Sequence, residues 1–244
     1  MICLVLAAGY ATRLYPLTEN FPKPLLEVGG KSILDRLLED VEANVEISKY
    51  VIVSNHKFIE HFENWKKNST LSKEIVLVDD GSVCNEKRLG AVKDLSLAIH
   101  EVGIEEDLMV LAGDNLLDFS LRTFAEYFKT KKATCVMRHY EESMEKLKRT
   151  GVAQIDEADR IVAMEEKPQE PKSHWAIPPF YIYAKENLAL IDEALADGCS
   201  ADAPGGLVMW MCKNYPVYAF EMPGKRYDIG TRQDYDKIVN DFKL

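Results

Sequence analysis

The sequence lacks any long apolar stretch. No run within its 244 residues approaches the roughly 20 consecutive apolar residues that a helix needs to cross a bilayer. The apolar segment from Met1 to Ala7 is too short for a secretory signal peptide, and no basic segment precedes it. We therefore expect a cytoplasmic protein with no membrane partner.

Cysteine is also scarce. The five cysteines are odd in number and widely scattered, at Cys3, Cys84, Cys135, Cys199 and Cys212. A disulfide framework or a structural zinc site would require paired cysteines at short, regular spacings. The pattern therefore favours buried or incidental thiols.

Positive charge is in short supply as well. Lysine and arginine total 30 against 40 aspartates and glutamates, which gives a net charge of −10. A general nucleic-acid-binding surface is excluded on this balance, although a few local cations can still hold a nucleotide. With 47% hydrophobic residues, the chain can bury a sizeable core, and its length predicts one compact domain over residues 1–244.

The first thirty residues carry the most informative pattern. The apolar run from Met1 to Ala7 is followed by Ala8 and Gly9, and then by two cations, Arg13 and Lys23. An apolar run bounded by turn formers is typical of a buried parallel strand. Small residues at its end allow backbone N–H groups to approach an anion. The stretch therefore predicts a strand that leads into a phosphate-binding loop.

Two common phosphate motifs do not fit this loop. The dinucleotide fingerprint requires glycines where this chain has Ala11 and Leu14 after Gly9. A Walker A loop ending at Gly30-Lys31-Ser32 would require a glycine where the chain has Leu25. Gly29-Gly30 is more simply interpreted as a turn before a helix that Ser32 caps.

Predicted strands and helices alternate through the first half of the chain. The strands are expected at 50–53, 75–78, 108–112 and 133–138, and the helices at 32–45, 58–65, 93–99 and 121–130. From Gly151, short strands follow one another at 152–155, 161–165 and 180–183. A helix is expected at 185–196, followed by a loop at 202–206 that caps a further helix containing Trp210, a late strand at 217–220 and a final helix at 232–242. The alternation predicts an α/β fold with a Rossmann-like open, mainly parallel sheet flanked by helices, and a smaller antiparallel excursion in the second half.

Asp114 directly follows the predicted strand at 108–112. Open α/β sheets place their ligands at the carboxyl ends of the strands, so this carboxylate is well placed to hold a divalent cation. An aspartate at a strand end is, on its own, more often a turn former or a helix cap. Both interpretations stay open at this point.

The stretch LAAGYATRLYPLTENFPKPLLEV resembles the signature of the sugar-1-phosphate nucleotidyltransferases, the pyrophosphorylases that make nucleoside-diphosphate sugars, including short glucose-1-phosphate thymidylyltransferase-like members. Gly113-Asp114, Glu165-Glu166-Lys167-Pro168 and a D-x-G-T segment that begins at Asp228 resemble further family motifs. One departure is Ala11, where the family usually has glycine, which restricts the loop if this position needs a positive φ.

The resemblance implies a role for each matching residue. The implied catalytic residues are Arg13, Lys23 and Asp114, and Asp114 and Asp228 are the implied ligands of Mg²⁺. The implied nucleotide-binding residues are Leu6, Ala7, Ala8, Gly9, Thr12, Asn85, Gly90 and Gly113, and the implied substrate-binding residues are Gly151, Glu166 and Lys167. Asn85 stands where the family reads the base, and because an amide both donates and accepts, the base stays open.

The implied reaction transfers a nucleoside monophosphate from a nucleoside triphosphate to a sugar 1-phosphate. Residues 1–140 would bind the nucleotide and residues 141–231 the sugar phosphate, before a C-terminal helix at 232–244. The implied partners are these two small molecules, and monomer and homodimer are the simplest assembly states.

A second departure bears on the acceptor. Pro178-Pro179 replaces a Thr-Gly pair that is common in the family, and proline has no N–H to donate. The alternative is therefore a cytidylyltransferase for a non-sugar phosphate or phosphonate such as phosphocholine. A third interpretation is a non-enzymatic member that binds the nucleotide to sense it.

Overall fold

The computed structural model describes residues 1–241. Its strands are β1 (Ile2–Leu6), β2 (Glu27–Val28), β3 (Lys31–Ser32), β4 (Lys49–Ser54), β5 (Glu74–Asp79), β6 (Leu108–Ala112), β7 (Asn115–Leu117), β8 (Thr134–Tyr140), β9 (Gly151–Ile155), β10 (Ile161–Glu166), β11 (Trp175–Ile177), β12 (Phe180–Tyr183), β13 (Val217–Glu221) and β14 (Arg226–Asp228). Its α-helices are α1 (Ile33–Asn44), α2 (Ile59–Asn68), α3 (Ala91–Val102), α4 (Arg122–Lys131), α5 (Met144–Leu147), α6 (Leu190–Ala196), α7 (Pro204–Met211) and α8 (Arg232–Asp241). Within residues 1–241, no helix has the length and apolar character that a membrane span requires.

The chain forms two compact units that interleave along the sequence. The first unit contains Met1–Arg88, Ala112–Arg122 and the described residues from Gly224 onward. The second unit contains Leu89–Leu111 and Thr123–Pro223.

The first unit is built on three parallel strands. β4 pairs with β1 on one side and with β5 on the other, and Val51 lies opposite both Leu4 and Val76. Leu4 and Val51 are fully buried, which explains the continuous apolar runs in these strands. Because all three strands run in the same direction, the loops that follow them meet at one edge of the sheet.

Helix α1 confirms the predicted cap at Ser32. The Ser32 hydroxyl accepts a hydrogen bond of 2.9 Å from the backbone N–H of Asp35 and so satisfies one of the free donors of the first turn. Leu34, Leu38 and Val41 recur at helical spacing and are buried. The helix therefore presents one apolar face to the core.

A small antiparallel ladder completes the first unit. β14 pairs with β7 so that Asp228 lies opposite Asn115 and Tyr227 lies opposite Leu116. Leu116 and Ile229 pack in one buried cluster with Leu14 from the loop after β1. This packing brings the ends of two distant chain segments beside the predicted phosphate-binding loop.

The second unit is mostly antiparallel. β12 pairs antiparallel with both β6 and β8, whereas β13 runs parallel to β8. β9 lies between β10 and β11, and Gly151 is opposite Glu166 on one side and Ile177 on the other. Together the two units confirm the predicted α/β class with antiparallel strands in the second half.

Two local predictions were wrong. The helix expected over 185–196 is a 3₁₀ turn at Lys185–Asn187 followed by α6 from Leu190. Within the turn, the Asn187 side-chain amide donates to Thr134 and the N–H of Lys185 donates to Asp107. The loop expected over 202–206 already becomes helix at Pro204. The final helix is confirmed as α8, and its predicted residues beyond 241 lie outside the described part of the chain.

Candidate active site

The loop after β1 has the small side chains that an anion-binding loop requires. Ala7 and Ala8 are buried, whereas Gly9 is exposed and a Cβ atom there would meet nothing within 4 Å. Leu6, the last residue of β1, is partly buried. Ala11 adopts a left-handed conformation with φ of 46°, which is the backbone geometry that explains why glycine is usual at this position.

Buried polar groups hold this loop in place. The Asn55 side chain donates to the Ala8 carbonyl at 2.9 Å and accepts from the N–H of Phe58 at 3.0 Å. The Tyr10 hydroxyl bonds the Ser82 hydroxyl at 3.0 Å, and Ser82 in turn bonds the buried Asp80 carboxylate. Burial raises the pKa of Asp80, against the lowering effect of its bonds from Ser82.

Arg13 is an exposed cation beside the loop. It belongs to the 3₁₀ turn Thr12–Leu14, and Thr12 is exposed as well. Among residues 1–241 its guanidinium has no hydrogen-bond or ion-pair partner. The five N–H donors of the Arg13 guanidinium are therefore available to an anionic ligand.

Lys23 is the buried cation of the first unit. Its side chain is only 7% exposed, and its Nζ donates to Oδ2 of Asp114 at 2.7 Å. Oδ1 of Asp228 lies 3.9 Å from the same Nζ. The two carboxylates are 39% and 53% exposed. One ammonium is therefore shared by two carboxylates that solvent can reach.

Two further residues, which the sequence interpretation missed, close this group into a ring. Asn115 donates its side-chain amide to Oδ1 of Asp114 at 2.7 Å. Arg226 donates to Oδ1 of Asn115 at 2.7 Å and lies 3.8 Å from Oδ2 of Asp228. Asn115 directly follows Asp114, and Arg226 precedes Asp228 by two residues. Both were therefore in the relevant segments, but only the pairing of β7 with β14 brings them together. We call Lys23, Asp114, Asn115, Arg226 and Asp228 the carboxylate ring.

The carboxylate ring has a donor set that fits Mg²⁺. This ion is commonly held by one or two protein carboxylates, with water and substrate phosphates completing the shell. Asp114 and Asp228 supply two such carboxylates, and both lie beside the ammonium group of Lys23. Among the described residues, no group of three or more His, Cys, Asp or Glu side chains forms a cage that could hold a metal unaided. This donor set therefore fits a metal that is shared with phosphate.

Asn85 and Gly113 also belong to the first unit. The Asn85 backbone carbonyl accepts from the Arg88 side chain at 3.1 Å, and its side-chain amide has no partner among residues 1–241. Gly113 donates its N–H to the Leu6 carbonyl at 3.1 Å, and a Cβ there would lie 2.8 Å from Val5. Glycine at 113 is thus required for close packing against β1.

Glu166 lies among glycines in the second unit. Its Oε2 would be 3.1 Å from a Cβ on Gly151 and 2.0 Å from a Cβ on Gly205. Desolvation by burial raises the pKa of this carboxyl, and the neighbouring Lys167 partly offsets the shift. Among residues 1–241 its only polar partner is Lys167, whose Nζ is 3.9 Å from Oε1. A half-buried carboxylate with unused acceptor capacity suits a ligand that donates hydroxyl groups.

Lys167 is exposed and adopts a positive φ of 50°, with its N–H bonded to the Thr150 carbonyl at 3.0 Å. Gly90 has φ of 97°, and a Cβ there would lie 2.5 Å from the Ala201 carbonyl oxygen. The N–H of Val92 bonds the same carbonyl at 2.8 Å. Gly90 therefore has a structural reason to be glycine, whichever ligand the second unit binds.

The structure brings together some of the predicted site residues within each unit. Lys23, Asp114 and Asp228 meet in the first unit, where Arg13 and the loop after β1 also lie. Gly151, Glu166 and Lys167 meet in the second unit.

Comparison with known proteins identifies relatives over nearly the whole chain. The family model described as nucleotidyl transferase matches residues 2–243. The bifunctional protein GlmU of Methanocaldococcus jannaschii is 27% identical over 253 residues, which cover 100% of this chain and 56% of that protein. A Sulfolobus acidocaldarius protein, provisionally named mannose-1-phosphate guanyltransferase, is 32% identical over 238 residues, which cover 96% of this chain and 61% of that protein. The chain thus spans less than two thirds of the length of these two relatives.

The fold has a counterpart among solved structures. A Bacillus anthracis protein, provisionally named glucose-1-phosphate thymidylyltransferase and solved with a sucrose, superposes with a TM-score of 0.83 at 24% identity. The match covers 100% of this chain and 97% of that one. Residues 1–241 therefore share a fold with that chain.

Proposed function

Because this chain belongs to the nucleotidyl transferase family, we propose that it transfers a nucleoside monophosphate from a nucleoside triphosphate to a sugar 1-phosphate, with release of pyrophosphate. The observation that carries this proposal is the shared position of Lys23 between Asp114 and Asp228, in the same unit as the phosphate-binding loop. In this arrangement cationic and metal-binding groups lie together, as phosphoryl chemistry requires.

The reaction joins two anions, so its main problem is electrostatic. The sugar phosphate attacks the α-phosphorus of the triphosphate, and the bond to the pyrophosphate leaving group breaks. Arg13 would bind the triphosphate through its forked donors, and Lys23 would hold the α-phosphate or the attacking phosphate. A phosphate monoester is already largely ionised near neutral pH, so no side chain has to act as general base.

Asp114 and Asp228 would hold Mg²⁺. When bound, this ion supplies positive charge that neutralises phosphate oxygens and orients the leaving group. The side chains of the protein would align the two reactants and would hold the Asp114 and Asp228 carboxylates in a fixed orientation. The N–H of Ala7 already donates to the Val53 carbonyl at 2.8 Å, so the small side chains of Ala8 and Gly9 would let the loop's backbone N–H groups reach the phosphates.

The second unit supplies groups that suit a sugar phosphate. Glu166 would accept hydrogen bonds from sugar hydroxyls, and Gly151 leaves space beside it. Lys167 is an exposed ammonium that would bind the phosphate as a compact cation. The sugar-phosphate role would thus fall within residues 141–223 of the second unit, whereas Asp228 belongs to the first unit with the phosphate-binding loop.

A sugar acceptor is favoured over an alcohol phosphate. The relative from Sulfolobus and the solved structure carry names that refer to sugar 1-phosphates, and none of the reported names refers to phosphocholine. Pro178-Pro179 lies between β11 and β12, next to Ile177, which pairs with Gly151. The proline pair therefore bears on which sugar is accepted. A purely sensory role gains no support, because all the ionic residues that the reaction needs are present.

A substrate matrix tests the proposal. Each common nucleoside triphosphate is incubated with magnesium and with glucose, mannose or N-acetylglucosamine 1-phosphate, or with phosphocholine, and pyrophosphate release is measured. We expect release with one sugar 1-phosphate or a few, and none with the Asp114→Ala variant. Release with phosphocholine alone would reject the sugar assignment. A protein that binds triphosphate but releases nothing with any acceptor would reject the enzymatic role.

A further inference from the structure

Arg226 is connected to Asp114 through a single amide. Its Nη1 donates to Oδ1 of Asn115 at 2.7 Å, and Nδ2 of Asn115 donates to Oδ1 of Asp114 at 2.7 Å. Nδ2 also lies 3.4 Å from the Ala112 carbonyl oxygen. Asn115 is almost fully buried, so water does not compete for these bonds.

The amide of Asn115 has two ends, and its partners decide which way it points. In the observed orientation, its oxygen faces the guanidinium and its NH₂ group faces the carboxylate. A flipped amide would place its oxygen against Asp114 and its NH₂ group against Arg226, so that acceptor would meet acceptor and donor would meet donor. Asp114 and the Ala112 carbonyl have no donor and Arg226 has no acceptor, so Arg226 selects the observed orientation together with these two acceptors.

This orientation fixes the Asp114 carboxylate from both sides. Oδ1 is bonded by Asn115 and Oδ2 is bonded by Lys23 at 2.7 Å. A ligand carboxylate that is already oriented loses less freedom when it binds a metal, which is why outer hydrogen-bond partners affect metal affinity. Neither Asn115 nor Arg226 has to touch the metal for this effect.

We propose that Arg226 is a positioning residue, which orients the Asn115 amide and so holds Asp114 ready for a divalent cation. The inference rests on the metal-binding role given to Asp114 in the proposed function. The hydrogen bonds from Arg226 to Asn115 and from Asn115 to Asp114 connect the segment that precedes the D-x-G-T motif to the Gly-Asp motif.

Arg226 also has an effect that weakens cation binding, opposite to its orienting effect on Asp114. Its guanidinium is 3.8 Å from Oδ2 of Asp228, so its positive charge repels a cation bound there. Removing Arg226 therefore loses orientation at Asp114 and relieves repulsion near Asp228 at the same time. The affinity of a single variant does not distinguish these contributions.

A double-mutant cycle separates them. Mn²⁺ binding to the whole chain, without nucleotide or sugar, is measured by electron paramagnetic resonance for wild type, Asn115→Ala, Arg226→Ala and the double variant. The titrations extend to the weak affinity that two carboxylates provide when no phosphate completes the shell. The repulsion acts with or without Asn115, so it cancels from the coupling. We expect Asn115→Ala to weaken Mn²⁺ binding roughly tenfold. Arg226→Ala should then improve binding in the Asn115→Ala background by more than in wild type.

An equal fold-change from Arg226→Ala in both backgrounds would overturn the proposal. Arg232→Ala is the matched control, because Arg232 lies in the same unit and pairs with Asp236 on α8 instead. It should leave Mn²⁺ affinity unchanged. If the alanine variants do not fold, Asn115→Leu and Arg226→Met keep most of the side-chain bulk and complete the same cycle.

A second readout needs no metal. The side-chain amide resonances of Asn115 should shift in Arg226→Ala and stay in place in Arg232→Ala, and unchanged resonances in Arg226→Ala would also reject the proposal. Because the cycle uses no substrate, its outcome is independent of the substrate matrix. If no substrate combination releases pyrophosphate but Arg226→Ala affects Mn²⁺ binding differently in the two backgrounds, only the proposed function is rejected. If pyrophosphate is released but the effect of Arg226→Ala is the same in both backgrounds, only the positioning role is rejected.

Discussion

Oε2 of Glu166 lies where a side chain on Gly205 would begin, since an ideal Cβ at Gly205 would be 2.0 Å from it. Gly205 is in the first turn of α7, and glycine is a weaker helix former than alanine. The helix therefore accepts a weaker residue so that the carboxylate can lie against its backbone.

Gly205→Ala should displace Glu166 and raise the KM for the acceptor phosphate by roughly tenfold, about the loss of one hydrogen bond to a charged group. The KM for the triphosphate should change little. Acceptor and triphosphate titrations of pyrophosphate release measure both values.

Gly206→Ala is the matched control. Its Cβ would meet the side chains of Cys199 and Ser200 at an ordinary 3.6 Å, so acceptor KM should stay at the wild-type value. Equal KM changes in the two variants would show that α7 itself, rather than Glu166, is affected.

Glu166→Gln should change how stability depends on pH. Burial raises the folded-state pKa of Glu166 above its ordinary value of 4.5, so the folded protein holds this proton more tightly than the unfolded chain does. The stabilising contribution is fully present below the ordinary pKa and is lost as the pH rises through the raised pKa. Wild type should therefore lose stability relative to Glu166→Gln across that interval.

Urea unfolding of both proteins over this pH range measures the difference. Glu165→Gln, at the more exposed neighbouring position, controls for the loss of one negative charge. A wild-type to Glu166→Gln difference that is constant with pH would contradict the burial effect.

Lys23→Met should abolish most of the transfer reaction. The variant removes the ammonium that Asp114 and Asp228 share, and loss of one preorganised donor to developing charge typically costs 10²–10³ in kcat, roughly 3–4 kcal/mol. Single-turnover pyrophosphate release gives the rate. Lys31→Met, which removes an exposed lysine paired with Glu39, should retain full activity. A Lys23→Met enzyme within about threefold of wild type would refute the role given to this lysine.

Ala11→Gly should be tolerated much better than Ala8→Gly. A left-handed conformation costs a non-glycine residue about 1–2 kcal/mol, and glycine at position 11 relieves that cost while losing a partly buried methyl group. Ala8 has no positive φ, so glycine there only adds freedom to the unfolded chain and loses packing. In urea unfolding, Ala8→Gly should lose about 1 kcal/mol more than Ala11→Gly. Equal losses would show that the conformation of Ala11 carries no strain.

Local patterns in the sequence predicted much of this fold. The bounds of β6 and β12 match the predicted strands at 108–112 and 180–183, because each is a short apolar run between polar residues. Ser32 was recognised as a helix cap because its partner Asp35 is only three residues away. The departure at Ala11 pointed to a positive φ that the structure has.

The rest depends on contacts between distant residues. Arg226 and Asn115 are 111 positions apart, and no periodicity in either segment indicates that β14 pairs with β7. The glycines at 205 and 206 predicted a loop, because the sequence does not show that a carboxylate packs against the helix there. The roles of individual residues in binding were predicted from resemblance and stay predictions.

The division of the first unit into separate segments has a consequence for biosynthesis. Asp228 and Arg226 lie in the segment that follows Pro223, so a ribosome completes the second unit before it adds them. Since domains generally fold as units during synthesis, a nascent chain can acquire its second unit while β7 still lacks its partner β14. The pair of acidic residues around Lys23 is therefore assembled only after residues 1–223 have been translated.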